Sequence, residues 1–315
     1  MKKQPLVCIV IVNWNGGKKI INCITSLKKT LYPNYKVIFV DNGSNDNSVS
    51  KLKKINKNMD IILLQKNFGY TIATNIGWKY ALKKYKADYI CAMDSDIITI
   101  QNNWLNIQIK ELEKSSDYGI SSGKLLFPDG TLQLLFLERG KYWMKDNIDK
   151  GQYDFIKEVS AVGGACIIIK KSVIKKIGYY DENFFYGPND LDYCLRARKA
   201  GFKVIYNGLS KSVHDGSSSY LASDNTKIFG PQAEGNIIFT LRYYGKLAGI
   251  KAIFRQFIRV FFTRKNPYKK ISFRNINFHT QIFKRGYIFF KSVERSFHNY
   301  KKIKNGDYEK FIIKK

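Results

Sequence analysis

Four short apolar runs, alternating with segments of helical period, fill roughly the first hundred residues and leave few folds open. Leu6–Val12 is unbroken, apolar and β-branched, as a strand covered on both faces must be. Lys18–Lys29 then sets Ile20, Ile21, Ile24 and Leu27 at helical spacing until Tyr32-Pro33-Asn34 breaks it. The cycle repeats through strand Tyr35–Val40 and helix Ser48–Ile55, then strand Ile61–Leu64 and helix Thr71–Tyr85. It closes on strand Ala87–Met93. This alternation predicts an α/β fold, a doubly wound and mostly parallel sheet with helices on both faces.

Ligands of such sheets bind beyond the carboxyl ends of the strands. Three of those ends carry polar clusters: Asn13-Trp14-Asn15, Asp41-Asn42 and Asp94-Ser95-Asp96. Two Asp side chains one residue apart repel each other unless a cation sits beside them. A hard divalent ion carrying phosphate oxygens would supply that charge. Equally, they suit a polar turn in which Asp96 caps a helix. Trp14 offers a flat face to a nucleobase or plugs the sheet. Asp41 and Asn42 hydrogen-bond a ligand or make a capping turn. No Gly-x-Gly-x-x-Gly or Walker-A pattern is present, which leaves dinucleotide dehydrogenases and P-loop NTPases unsupported.

Further on, Trp104–Leu112 reads as a helix, Phe127–Gly130 as a turn, and 138–158 as a loop without period. Val159–Ile169 is an apolar strand interrupted by Gly163-Gly164. Glycine there marks either the close approach of something to the backbone, such as a sugar ring, or a bulge. Pro188 opens a helix whose first turn holds Asn189, Asp190 and Asp192. These carboxylates complement the helix dipole, and one of them also suits a general base. After a late strand at Lys203–Tyr206, His214 stands in a polar, Ser- and Gly-rich loop, as a structural imidazole or a metal ligand.

Charge adds a second theme. Lys and Arg number 54 against 25 Asp and Glu, and residues 246–315 hold 19 of the basic residues and only 3 of the acidic ones. That imbalance, with an amphipathic basic helix over Leu247–Thr263, points to an anionic membrane surface or another polyanion. The chain therefore divides into a domain over 1–245 and a basic, mainly helical extension over 246–315. No run reaches the length of a membrane span, and no cleavage site follows the first apolar segment. Five scattered cysteines read as buried, reduced thiols. The expectation is a cytoplasmic chain, peripheral on the cytoplasmic face of the inner membrane. Nucleic acid is not an expected partner, since no helix-turn-helix, RNP or zinc-ligand pattern accompanies the charge.

Several motifs occur in series: VIVNWNG ending at Gly16, VDNGSND at Val40–Asp46, Asn67-Phe68-Gly69 with Asn75, and Asp94-Ser95-Asp96. KLLFPDG at Lys124–Gly130, GGACIII at Gly163–Ile169, the block from Tyr180 to Gly201, and His214 complete it. The series resembles the inverting family-2 glycosyltransferases of the GT-A fold, most closely the rhamnosyltransferase-like branch of bacterial polysaccharide synthesis. The resemblance implies a catalytic domain over 1–245, a nucleotide-diphosphate-sugar donor, a glycan or lipid-linked glycan acceptor, and Mg²⁺ or Mn²⁺. It implies that Val12, Trp14, Asp41, Asn42, Asn67, Gly69, Asn75 and Gly164 line the donor site. Asp94 would meet the ribose or diphosphate, Asp96 and His214 would hold the metal with help from Asp94, and Asp190 would be the base, with Asp192 as fallback. Asn189 replaces the first acid of the family's Glu-Asp pair. That departure keeps open a nucleotide-sugar-binding protein without transfer activity; a basic nucleic-acid-binding protein is the remaining alternative.

Overall fold

The computed structural model describes residues 4–56, 59–138, 141–144, 147–215, 225–261 and 278–301. The chain forms two compact units, one of Met1–Asp181, Asn189–Ala222 and Asn305–Lys315, the other of Glu182–Pro188 and Ser223–Lys304.

In the first unit the alternation appears as β1 (Val7–Asn13), α1 (Lys19–Leu27), β2 (Tyr35–Asp41), α2 (Ser48–Ile55), β3 (Asp60–Leu63), α3 (Tyr70–Lys84) and β4 (Tyr89–Asp94). These strands lie parallel in the order β3-β2-β1-β4. β1 has a strand on each side and all seven of its residues are buried, which is why its sequence shows no polar alternation. The chain steps outward from β1 to β3, then returns to the far side of β1 for β4. That reversal creates a switch point between β1 and β4, where a crevice opens at the carboxyl ends. α3 sits hard against the sheet: a Cβ on Gly77 would lie 2.3 Å from Val10 Cγ1 and 3.0 Å from Val40 Cγ2.

Beyond β4 the elements are β5 (Ile97–Thr99), α4 (Trp104–Leu112), β6 (Tyr118–Leu126), β7 (Leu134–Glu138), β8 (Lys141–Met144), β9 (Ile156–Val159), β10 (Ala161–Val162), β11 (Cys166–Lys170), α5 (Lys171–Ile177), α6 (Asn189–Lys199) and β12 (Lys203–His214). The sheet becomes mixed and continues as β4-β11-β6-β12-β5, with β9 also on β12. Strands β10-β7-β8 make a separate antiparallel sheet. The apolar run Val159–Ile169 is thus the end of β9 plus β10 and β11, parted by a turn that holds Gly164. Nor is 138–158 a bare loop. It holds β8 and most of β9, and Asp149 and Asp154 within it pair with Lys124 of β6, whose side chain is fully buried. Lys211 of β12 joins the cluster, 2.8 Å from Asp154 and 3.4 Å from Asp149. A buried ammonium is tolerated only when paired in this way. All five cysteines are free and buried.

The second unit is helical, with α7 (Asn225–Phe261) and α8 (Phe278–Asn299). Gly245 interrupts α7 with a non-helical backbone, φ 80°. Phe289 of α8 is buried, with its ring 6.1 Å from that of Phe257, while Arg295 pairs with Glu234 at 3.0 Å. The boundary read at 245/246 coincides with this kink, whereas the compact units divide at 222/223. The helix expected over Leu247–Thr263 is helical to Phe261; the rest of that stretch, like 302–315 and the Ser-rich segment after Asp215, lies outside the described residues.

Because Gly77 is seated on Val10 and Val40, Gly77→Ala should overpack the α3–sheet contact and cost about 1–3 kcal/mol. Urea denaturation of the variant should show a lower midpoint at unchanged slope.

Candidate functional site

Three strand ends converge at the switch point. Asp94 closes β4 beside Val12 of β1, and a two-residue turn carries the chain through Asp96 into β5. β12 then runs antiparallel to β5 in a register that pairs His214 with Ile97. The imidazole therefore arrives next to Asp96, at the end of a 12-residue strand rather than in the loop that its polar neighbours suggested. His214 Nε2 stands 3.3 Å from Asp96 Oδ1 and 3.7 Å from Asp94 Oδ2. One ligand atom from each of the three residues falls within 4.8 Å of the others.

A fourth residue orients the imidazole. The Gln133 amide donates to the His214 carbonyl at 2.5 Å, which turns its own oxygen toward His214 Nδ1, 2.9 Å away. With Nδ1–H bonded to that oxygen, Nε2 is the nitrogen turned to the two carboxylates, where loss of its proton would free a lone pair for a cation. Two carboxylates and an available imidazole nitrogen make a donor set that fits a divalent cation.

The electrostatics fit the same reading. Burial alone would lower the His214 pKa, but the hydrogen bond and charge of Asp96, with Asp94 behind it, hold it above its usual value. Asp94 is pushed up to about 7, first by burial and further by Asp96 and Asp190. The charge of His214 and a hydrogen bond from Tyr70 act against that rise. A cation beside these groups inverts this logic and favours both ionised carboxylates.

Asp190 stands in the first turn of α6 and reaches the same rim. Its Oδ2 accepts from the backbone N–H of Gly164 at 2.7 Å, and the adjacent Ala165 carbonyl accepts from Asp94 N–H at 2.8 Å. A Cβ on Gly164 would lie 2.6 Å from Asp190 Cβ, so the close approach for which the sequence offered a sugar is made by this aspartate. Burial raises the Asp190 pKa, and backbone N–H groups of Leu191 and Gly164 only partly offset it. The fallback, Asp192, is fully buried and bonded at 2.8 Å to Arg196, which also donates to the carbonyls of Ile177 and Tyr179. Asp192 thus anchors α6 and is not placed to receive a proton from a ligand.

The family model Glycosyl transferase family 2 matches residues 8–178, more than half of the chain. This chain belongs to glycosyltransferase family 2. Among curated proteins it is similar to dTDP-rhamnosyl transferase RfbF of Shigella flexneri, 32% identical over 65% of this chain and 67% of that one. It is also similar to the O-antigen biosynthesis protein RfbC of Myxococcus xanthus, 22% identical over 61% of this chain but only 16% of RfbC. The chain spans a quarter or less of the length of two of its curated relatives, RfbC being one. The fold is similar to that of GalNAc-T7 solved with UDP, GalNAc and Mn²⁺, at a TM-score of 0.59 and 13% identity, over 95% of this chain and 59% of that one. That likeness places the family-2 chain in the GT-A fold.

Of the other residues singled out in the sequence, Asp41, Asn42 and Asn75 bond neighbouring segments of the family-2 chain to one another. Val12 is buried in β1, and Trp14 is half-buried in the loop after it. Asp41 accepts from Asn13 Nδ2 at 3.1 Å and from both the N–H and hydroxyl of Ser44. Asn42 donates to Asn67 Oδ1 and to the Gly69 carbonyl and accepts from Phe68 N–H, fastening the loop before α3 to the end of β2. Gly69 begins α3 with φ 90°, a conformation open chiefly to glycine. Asn75 lies fully buried in α3 and bonds both backbone groups of Tyr180, donating to its carbonyl and accepting from its N–H, each at 3.0 Å. Sequence reasoning missed Gln133, which no local motif marks, and the pair of Lys19 with Asp215 at 2.8 Å, which joins the start of α1 to the residue after His214.

Since Gln133 fixes the imidazole, Gln133→Leu should weaken Mn²⁺ binding by about 10- to 100-fold. Isothermal titration calorimetry would read this, with an unchanged far-UV circular dichroism spectrum as the control for folding.

Proposed function

We propose that this family-2 glycosyltransferase moves a sugar, with inversion, from a nucleotide-diphosphate-sugar to a hydroxyl of a glycan or lipid-linked glycan in cell-surface polysaccharide synthesis. The single observation that supports this most is the sharing of one rim by the Asp94–Asp96–His214 cluster and a separate carboxylate, Asp190, with a raised pKa. Asp94, Asp96 and His214 would hold Mg²⁺ or Mn²⁺, which when bound offsets the charge of the departing diphosphate. Trp14 and the Asn42–Asn67–Gly69 loop frame the nucleotide. The acceptor oxygen attacks the anomeric carbon as the bond to the diphosphate breaks on the opposite face. Asp190 accepts the hydroxyl proton, helped by the burial that makes it a stronger base than a solvated carboxylate. RfbF's name makes dTDP-rhamnose the first donor to assay. Asn189, where the family carries an acid, removes one negative charge beside the base and leaves Asp190 itself in place.

Asp190→Asn should lower kcat by about 10²- to 10⁴-fold while donor binding persists, because only the proton acceptor is lost. Nucleoside diphosphate release with acceptor present is the readout. Full turnover in the variant would refute the assignment, and absent turnover in the unmodified chain with every donor would favour a binding protein. Asp190 acts only when deprotonated and its pKa is raised, so kcat/KM should fall on acidification at a pH above the ordinary aspartate value of about 3.9. In a pH–rate series, that acid limb should vanish in whatever activity Asp190→Asn retains.

A further inference from the structure

Both helices of the second unit expose apolar side chains where a solvated helix would be polar. After the break at Gly245, α7 turns Gln256 inward while Leu247, Ile250 and Phe254 are 73%, 58% and 61% exposed, with Ile258 also exposed. Their spacing puts them on one side of the helix as a continuous stripe. α8 adds Tyr287 and Phe290, 61% and 60% exposed. Basic residues accompany both: Lys246, Lys251 and Arg255 are exposed on α7, and Lys291 on α8 lies with its ammonium 5.0 Å from the Tyr287 ring centre. Residues 246–315 as a whole carry 19 basic against 3 acidic residues. No helix among the described residues is long and apolar enough to cross a membrane.

We infer that the exposed apolar stripes of α7 and α8 dock on an anionic lipid bilayer, lying in its interface with the basic side chains at the headgroups. The charge selects this occupant. A second copy would bring two strongly cationic segments together, which repel. A nucleic acid would pair with the lysines but leave Leu247 and Ile250 in water. A bilayer with acidic headgroups accepts both the aliphatic stripe and its basic border. This inference does not depend on the transfer reaction, so either can fail without the other.

The test is flotation of the full chain with vesicles of phosphatidylcholine alone or mixed with phosphatidylglycerol. The chain should float with the mixed vesicles and be released by salt. Each basic residue near an anionic surface contributes about 1 kcal/mol, or roughly fivefold in partitioning. Lys251→Glu with Arg255→Glu should therefore reduce binding to mixed vesicles by about 25-fold or more. Leu247→Ser, Ile250→Ser and Phe254→Ser together should reduce it at least about tenfold, with an unchanged melting temperature because these side chains are exposed. No flotation with mixed vesicles would overturn the inference, as would equal flotation with neutral ones or indifference to the charge reversals. A concentration-dependent dimer in sedimentation, abolished by the triple serine variant and without lipid binding, would assign the face to a second copy.

Discussion

Two carboxylates one residue apart at a partly buried rim cannot both remain charged unaided, and the first unit is arranged around that constraint. β4 supplies Asp94 and its turn supplies Asp96, so their proximity follows from a single strand end. What answers their repulsion comes from 118 residues beyond Asp96, because β12 pairs with β5 in the one register that sets His214 beside Ile97. A slip of one residue would turn the imidazole to the other face of the sheet. The site thus depends on β-pairing at the sheet's edge as much as on its titratable groups.

The carboxylates at this rim differ sharply in their surroundings. Asp94 and Asp96 share a field with an imidazole, and two like charges with one counter-charge invite a further cation. Asp190 is held apart by backbone N–H groups and by burial, and no basic side chain bonds it among the contacts described. Asp192, two residues along the same helix, is committed to Arg196. Identical side chains on one helical turn therefore differ in what each touches.

The sheet was legible from the chain because β1, nearly all of β4 and the second half of β2 are buried, so their apolar runs read as strands. An ordered motif series singles out Asp94, Asp96 and Asp190 in the chain, and the fold sets the first two beside His214. The sequence was weaker wherever position depends on pairing between distant segments. His214 looked like a loop residue because β12 ends among Ser and Asp neighbours, and its strand character comes from β5 and β6. Residues 138–158 lacked a period because β8 and β9 are short and Lys124 anchors the stretch between them by ion pairs, which leave no hydrophobic signature. Asn42, Asn67 and Asn75 drew attention as ligand contacts, yet their amides are bonded to the protein itself.

Asn75 shows what such an amide accomplishes. By answering both the backbone donor and the backbone acceptor of one residue, Tyr180, its side chain imitates a single residue of neighbouring strand. It does so inside a helix, for a segment 105 positions away along the chain. Tyr180 is thereby clamped to the helix lying on β1. Asp190 and the Asp94–Asp96–His214 cluster accordingly belong to one compact unit, although nearly a third of the chain separates Asp96 from Asp190.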